Sequence, residues 1–164
     1  MDGASRGNPG EASIGVLLLD EEGNTVEEVS KLIGQATNNV AEYKALLEGV
    51  RRALEYQPEE AIFLTDNELV ANQINGIYRV KEPHLQYLNE QVLELLSRLP
   101  RWRVNHVERE ANYRAHRLAM KAFREKNRKE REKVRLINEV ESLLRDFSLE
   151  EIRKVLAYIE SLKK

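Results

Sequence analysis

The chain has no cysteine among its 164 residues. A disulfide framework and a thiolate-ligated zinc site are therefore excluded, and a reducing compartment is the simpler expectation. Long hydrophobic runs are lacking too. Stretches such as Val16-Leu17-Leu18-Leu19 fall far short of the roughly 20 apolar residues that span a bilayer. The opening residues, Met1-Asp2-Gly3-Ala4-Ser5-Arg6, lack the apolar core of a secretory signal. These absences together point to a cytoplasmic chain with no membrane partner. Net charge is nearly absent as well, −2 from 26 basic and 28 acidic residues. Any attraction to a polyanion must then come from a local basic face rather than from the chain as a whole.

What is present suits a folded domain, with 41% hydrophobic and 33% charged residues. The charges are unevenly spread. Arg101, Arg103, Arg109, Arg114, Arg117, Lys121 and Arg124 gather late in the chain, while Glu21, Glu22, Glu27 and Glu28 sit early. Such a cluster is either an ordinary solvated face or part of a binding surface.

Periodicity organises the chain. Residues 12–19 read as a strand, a turn covers Asp20 to Asn24, and Thr25 to Ile33 returns as the second arm of a hairpin. Thr37-Asn38-Asn39 offers cap chemistry to a helix with Val40, Tyr43, Leu47, Val50 and Leu54 on one stripe, ended by Pro58. A short apolar strand, Ala61 to Thr65, stops at Asp66. Helices are predicted from Glu68 to about Ile74 and from Pro83 to Leu99, then a strand from Trp102 to Val107 and a helix from Ala111. This order predicts an α/β fold with helices packed on a mixed sheet. The character changes after about Glu125: a charge run from Lys126 to Lys133 leads into an apolar stripe of Val134, Ile137, Val140 and Leu144. Ser148 and Glu151 are then spaced as a capping box ahead of a last stripe, Ile152 to Leu162. Residues 1–125 are thus expected to form one domain, and 126–164 a helical extension.

Three acidic residues stand where ligands gather in α/β folds, at strand ends and helix starts. Asp2 opens a glycine-rich segment, Glu42 falls in the first turn of its helix, and Asp66 ends an apolar strand. Each has a structural alternative: Asp2 as a turn former, Glu42 as a partner of the helix dipole, Asp66 as the cap of the next helix. Brought together, they would repel one another unless cations joined them, and Mg²⁺ favours such hard oxygen ligands.

Four segments carry a family likeness. Asp2-Gly3-Ala4-Ser5-Arg6-Gly7-Asn8-Pro9-Gly10, Thr37-Asn38-Asn39-Val40-Ala41-Glu42-Tyr43, Thr65-Asp66-Asn67-Glu68-Leu69-Val70 and the stretch His106 to Ala119 occur in order across residues 2–125. In these segments the chain resembles the type 1 ribonuclease H family, the reverse-transcriptase-like ribonuclease H domains. The resemblance implies a mixed five-stranded sheet flanked by helices and endonucleolytic cleavage of the RNA strand of an RNA–DNA hybrid, leaving 5′-phosphate and 3′-hydroxyl ends. It implies two Mg²⁺ ions, with Mn²⁺ as a substitute, held by Asp2, Glu42 and Asp66. It assigns Gly3, Asn8, Thr37, Asn38, Asn39, Asn67 and Asn112 to the sugar-phosphate path. Arg109 is a further phosphate contact, since such arginines grip phosphate bidentately. Recognition of this kind reads backbone rather than base sequence.

The likeness has departures. His116 stands where the family carries a fourth carboxylate, so it is expected to serve as a catalytic or metal-binding residue favouring Mn²⁺, to carry protons near the site, or to be a surface histidine without a role. Only Met1 precedes Asp2, so the first strand is expected to be largely missing, through a misplaced gene start or truncation, with Asp2 on a frayed terminus. Glu68 replaces an amide side chain, and the segment before Pro83 leaves only Arg79 and Lys81 in place of an elaborate basic handle. The alternative to an enzyme is a non-catalytic binder of hybrid or double-stranded RNA. The helical extension is expected to self-associate, bind a partner, or pack on the domain.

Overall fold

The computed structural model describes residues 1–162. The chain divides into two compact units, Met1–Arg124 and Glu125–Lys164. In the first, β1 (Asp2–Gly7), β2 (Gly10–Leu19) and β3 (Thr25–Ala36) form an antiparallel sheet in the order β1-β2-β3. α1 (Asn38–Tyr56) leads to β4 (Ala61–Thr65), and α2 (Glu68–Ile74) and α3 (Pro83–Leu96) lead to β5 (Trp102–His106), which pairs in parallel with β4. α4 (Tyr113–Leu144) begins in the first unit and continues into the second, where α5 (Leu149–Ser161) follows. No helix among the described residues is long and apolar enough to cross a membrane.

Burial explains the layering. β2 is buried from Ala12 through Val16, on both faces, so it must be covered twice. On one face α1 supplies Tyr43, Leu46, Leu47 and Val50, joined by Leu85, Leu88, Val92 and Leu96 of α3 in a single core. On the other face lies the start of α4. There Ser13 Oγ donates to the Ala119 carbonyl at 2.8 Å and Ser30 Oγ to the Leu118 carbonyl at 2.7 Å. Gly15 permits this approach: a Cβ on it would lie 2.2 Å from the Ala115 carbonyl oxygen. The α1 and α3 stripes read from the sequence pack into this core, although α3 ends at Leu96 and leaves Leu99 buried just beyond it; the stripes read after Val134 are exposed.

The front of the domain differs from expectation. Asp2–Gly7, read from sequence as a glycine-rich segment, is a six-residue strand running antiparallel to β2, with Asp2 opposite Gly15. Asp2 is not on a frayed terminus. Met1 and Asp2 are buried, and the Met1 ammonium donates to the Leu64 carbonyl at 2.9 Å. Tertiary packing overrides the end effect here, because Met1 has β4, Val16 and the α1 backbone around it. That bond is the amino end's link toward β4. Beyond it, a cavity of about 510 Å³ opens between Val16–Leu19 of β2 and Ala61–Leu64 of β4. Its walls include the exposed Leu19, Ile62 and Leu64.

The slot is lined largely by apolar side chains of the two flanking strands, among them Val16, Leu17, Leu18, Ile62 and Leu64. Lengthening β1 at its amino end by four alternating valine and isoleucine residues is therefore expected to raise the melting temperature by several degrees, the new strand burying apolar area between β2 and β4. Thermal unfolding followed by circular dichroism measures this. No rise would mean that the slot does not accept a strand.

Candidate active site

Three elements deliver three carboxylates to one point. Asp2 is the first residue of β1, Glu42 lies in α1, and Asp66 follows the last residue of β4. One carboxylate oxygen from each lies within 4.8 Å of the others. The close approach of β1 to α1 makes this meeting possible. A Cβ on Gly3 would fall 2.2 Å from the Ala41 carbonyl carbon and 2.3 Å from the Glu42 nitrogen, so only glycine lets the strand lie against that turn.

Other groups hold the carboxylates in place. The Gly3 amide and the Thr65 hydroxyl, the latter at 3.4 Å, donate to Glu42. Asn112 Nδ2 donates to Asp66 at 2.5 Å and to the Met1 carbonyl at 2.8 Å, tying β1, the end of β4 and the start of α4 together. His116 Nδ1 lies 3.3 Å from Asp2 Oδ2. The structural alternatives for the acids lose ground. Asn67, not Asp66, caps α2, accepting from the Val70 amide at 3.0 Å. Glu42 is the fifth residue of α1 rather than part of its first turn, because Thr37 is the cap and the helix starts at Asn38. At that position the macrodipole has largely faded.

Burial sets the electrostatics. It raises the Asp2 carboxyl above its ordinary value, with neighbouring Asp66 adding to the rise and His116 opposing it. Burial also raises Glu42 well above its ordinary value, reinforced by the charges of Asp2 and Asp66. The Met1 ammonium is held low by burial, against the attraction of all three acids.

Around the acids a cavity of about 630 Å³ is lined by Gly3, Asn38, Asn67, Glu68, Arg109 and His116 together with the triad. The other residues singled out from sequence lie elsewhere. Asn8 is exposed in the β1–β2 turn, Thr37 caps α1, and Asn39 accepts a long hydrogen bond from Asn67 at 3.5 Å. Asn112 is buried among its own contacts. Of the late basic cluster, only Arg109 lines the cavity. Arg101 and Arg103 pair with Glu59 and Glu60, and Arg114 donates to Thr25. Two contributors escaped the sequence analysis. Thr65 and Arg6 both lie inside quoted motifs, and that position was the available signal. What neither could show is the tertiary contact: the Thr65 side chain is buried against Glu42, and the Arg6 guanidinium sits 4.2 Å over the Phe123 ring at the cavity wall.

Residues 1–122 match the family described as reverse transcriptase-like. Over 123 residues the chain is 39% identical to ribonuclease HI of Halobacterium salinarum, covering 75% of this chain and 62% of that protein. It is 43% identical over 123 residues to a bifunctional protein of Mycobacterium tuberculosis, covering 74% of this chain and 34% of that one. The chain thus spans less than two thirds of these curated relatives. Among solved structures, it resembles a ribonuclease H1 isolated from compost and solved with an RNA/DNA hybrid. The TM-score is 0.71 at 40% identity, over 74% of this chain and 91% of the other.

The shifted carboxyls make stability depend on pH. A carboxyl with a raised folded-state value binds its proton more tightly folded than unfolded. Its contribution is complete below about pH 4 and is lost as pH rises through the raised value. The Met1 ammonium, lowered on folding, works in the opposite sense between its lowered value and about pH 8. In chelator-treated buffer, Glu42→Gln is therefore expected to raise the pH 7 melting temperature by a few degrees and flatten its decline from pH 4 to 7. Millimolar Mg²⁺ should raise the melting temperature of the unsubstituted protein more than that of the variant. Parallel profiles for the two proteins would show that Glu42 carries no such repulsion.

Proposed function

The chain belongs to the reverse-transcriptase-like family of ribonuclease H domains, and on that premise we propose that residues 1–125 are a metal-dependent endoribonuclease cutting the RNA strand of an RNA–DNA hybrid. Cleavage breaks the bond between phosphorus and the 3′ oxygen, leaving 5′-phosphate and 3′-hydroxyl ends. The observation that supports this most is the meeting of three carboxylates within 4.8 Å, two of them buried and pushed toward protonation by desolvation and mutual repulsion. Such a group is stable as anions only beside cations, and three hard oxygen donors suit Mg²⁺. Asp2, Glu42 and Asp66 would hold two Mg²⁺ ions, which when bound supply an activated water and steady the leaving oxygen.

The remaining groups act on the duplex. Arg109, at the cavity wall, grips a backbone phosphate. Asn38 and Asn67 present amides, which both donate and accept as a 2′-hydroxyl requires. Asn112 and Thr65 keep Asp66 and Glu42 aimed. Glu68 turns its carboxylate to Asn72, 3.4 Å away, which lessens its conflict with phosphate. His116, beside Asp2, takes the place of a fourth acidic ligand, and its imidazole favours Mn²⁺ over Mg²⁺. The relative solved with a hybrid supports the substrate class. A protein that only bound hybrid would gain nothing by gathering negative charge opposite phosphates, and this argues against the non-catalytic alternative.

A labelled hybrid, a double-stranded RNA and a DNA duplex, each assayed in Mg²⁺ and in Mn²⁺, test the proposal. Only the hybrid is expected to be cut. Asp66→Asn should lower kcat by roughly three orders of magnitude, about 4 kcal/mol of transition-state stabilisation. Tight hybrid binding without cleavage in either metal would replace the nuclease with a binder. His116→Asp is expected to raise the ratio of the Mg²⁺-supported rate to the Mn²⁺-supported rate about tenfold, the scale on which ligand changes tune metal use. An unchanged ratio would remove His116 from the metal site.

A further inference from the structure

The second unit carries an apolar surface that its own two helices do not bury. From Glu125 to Leu144 the distal part of α4 is exposed along its length apart from the half-buried Leu144, and α5 is exposed apart from the half-buried Val155. Yet both are amphipathic. Leu136, Ile137, Val140 and Leu143 fall on one side of α4 at helical spacing, with Phe147 just beyond, and Leu149, Ile152, Leu156 and Ile159 on one side of α5. These residues together with Leu162 leave on the order of 900 Å² accessible, against the roughly 800 Å² per partner of a standard interface. Contiguous apolar patches of this size on a soluble chain mark interaction sites.

The charge pattern says what fits. Residues 126–135 hold six basic side chains against two acidic, a net of +4. Residues 136–151 hold five acidic against one basic, a net of −4. Lys133 and Lys129 lie one and two turns ahead of Ile137 on the face of the apolar stripe, while Glu139 and Glu141 flank it. No ion pair among the described residues neutralises these four within the chain. A helix that is basic at one end and acidic at the other, with an apolar stripe continuing from the lysines, is complementary to itself when reversed. A two-fold axis near Ile137 places Lys133 of one copy opposite Glu141 of the other, as an isologous contact requires.

We infer that the partner of this surface is a second copy of the chain, joined antiparallel through the distal part of α4 with α5 closing the apolar contact. The extension is thereby a dimerisation element, distinct from the carboxylate cavity and independent of the nuclease proposal. An acidic or basic partner protein would match only one half of the helix, whereas a reversed copy matches both.

Sedimentation velocity of the full chain from 1 to 100 µM, at low and at 0.5 M salt, tests this. A dimer weakened by salt is expected, because the charged flanks are solvent-exposed. Ile137→Glu with Val140→Glu should give a monomer with unchanged specific activity on hybrid. Lys133→Glu with Arg135→Glu, which face Glu141 and Glu139 of the reversed copy, should weaken the dimer at least tenfold, and adding Glu139→Lys with Glu141→Lys in the same chain should restore it. A monomer throughout the concentration range would overturn the inference. So would a dimer indifferent to Ile137→Glu with Val140→Glu, or a charge reversal that the second pair of substitutions fails to rescue. A monomeric parent whose melting temperature falls with Ile137→Glu would instead assign the stripe to packing within one chain.

Discussion

The repulsion among three carboxylates held within 4.8 Å is the constraint on which the first unit is organised. Like charges at that range, partly removed from water, oppose folding rather than favour it. The domain therefore has to supply their geometry from elsewhere, through packing and hydrogen bonds that do not depend on the acids attracting anything. It does so with three unrelated elements: a strand start, a helix interior and a strand end. Each is fixed by its own share of the core, so the acids are placed by the burial of Ile14, Tyr43, Phe63 and their neighbours.

Small residues carry this arrangement. Gly3 lets β1 rest on the Ala41–Glu42 backbone, and its amide is spent on the Glu42 carboxylate. Gly15 lets α4 come down on β2 from the other face, which brings His116 beside Asp2 and Asn112 between the Met1 carbonyl and Asp66. The polar clamps are short side chains of fixed reach, Thr65 and Asn112, rather than long flexible ones. Holding them costs little rotamer freedom, and their positions are correspondingly definite. Tyr43 shows the same economy in the core, donating to Gln73 at 2.8 Å while accepting from Asn89 at 3.2 Å.

The second unit follows different physics. Its helices rest on local signals, above all the capping box in which Ser148 accepts from the Glu151 amide and Glu151 accepts from the Ser148 amide. They have regular geometry without a buried stripe, so their formation and their stabilisation are separate questions. A helix as short as α5 is marginal alone in water, and both helices gain most from tertiary or quaternary packing of their apolar faces. The opposed charges at the two ends of the stripe give that packing a direction.

Much of this was legible from residue order alone. Helix and strand positions follow from apolar spacing, because the period of burial is a property of local geometry: the stripe on α1 and the strand from Ala61 to Thr65 needed no partner to be recognised. Four motifs in sequence identified the acids, since chemistry constrains residue type at each position. Other facts had no local trace. Asp2–Gly7 became a strand, and Met1 became buried, because β2 and β4 offer them neighbours. Asn112, which the resemblance assigns to the sugar-phosphate path, ties Met1 to Asp66 as well. Arg6 found Phe123 across most of the domain. Residue order by itself determined which groups could do the chemistry and which segments would be helices and strands, because both depend on side-chain type and spacing within a few residues. Only the tertiary structure decided which groups meet, how deeply the acids are buried and which neighbours oppose or support their charge, because those depend on distances between segments that the chain brings together only when it packs.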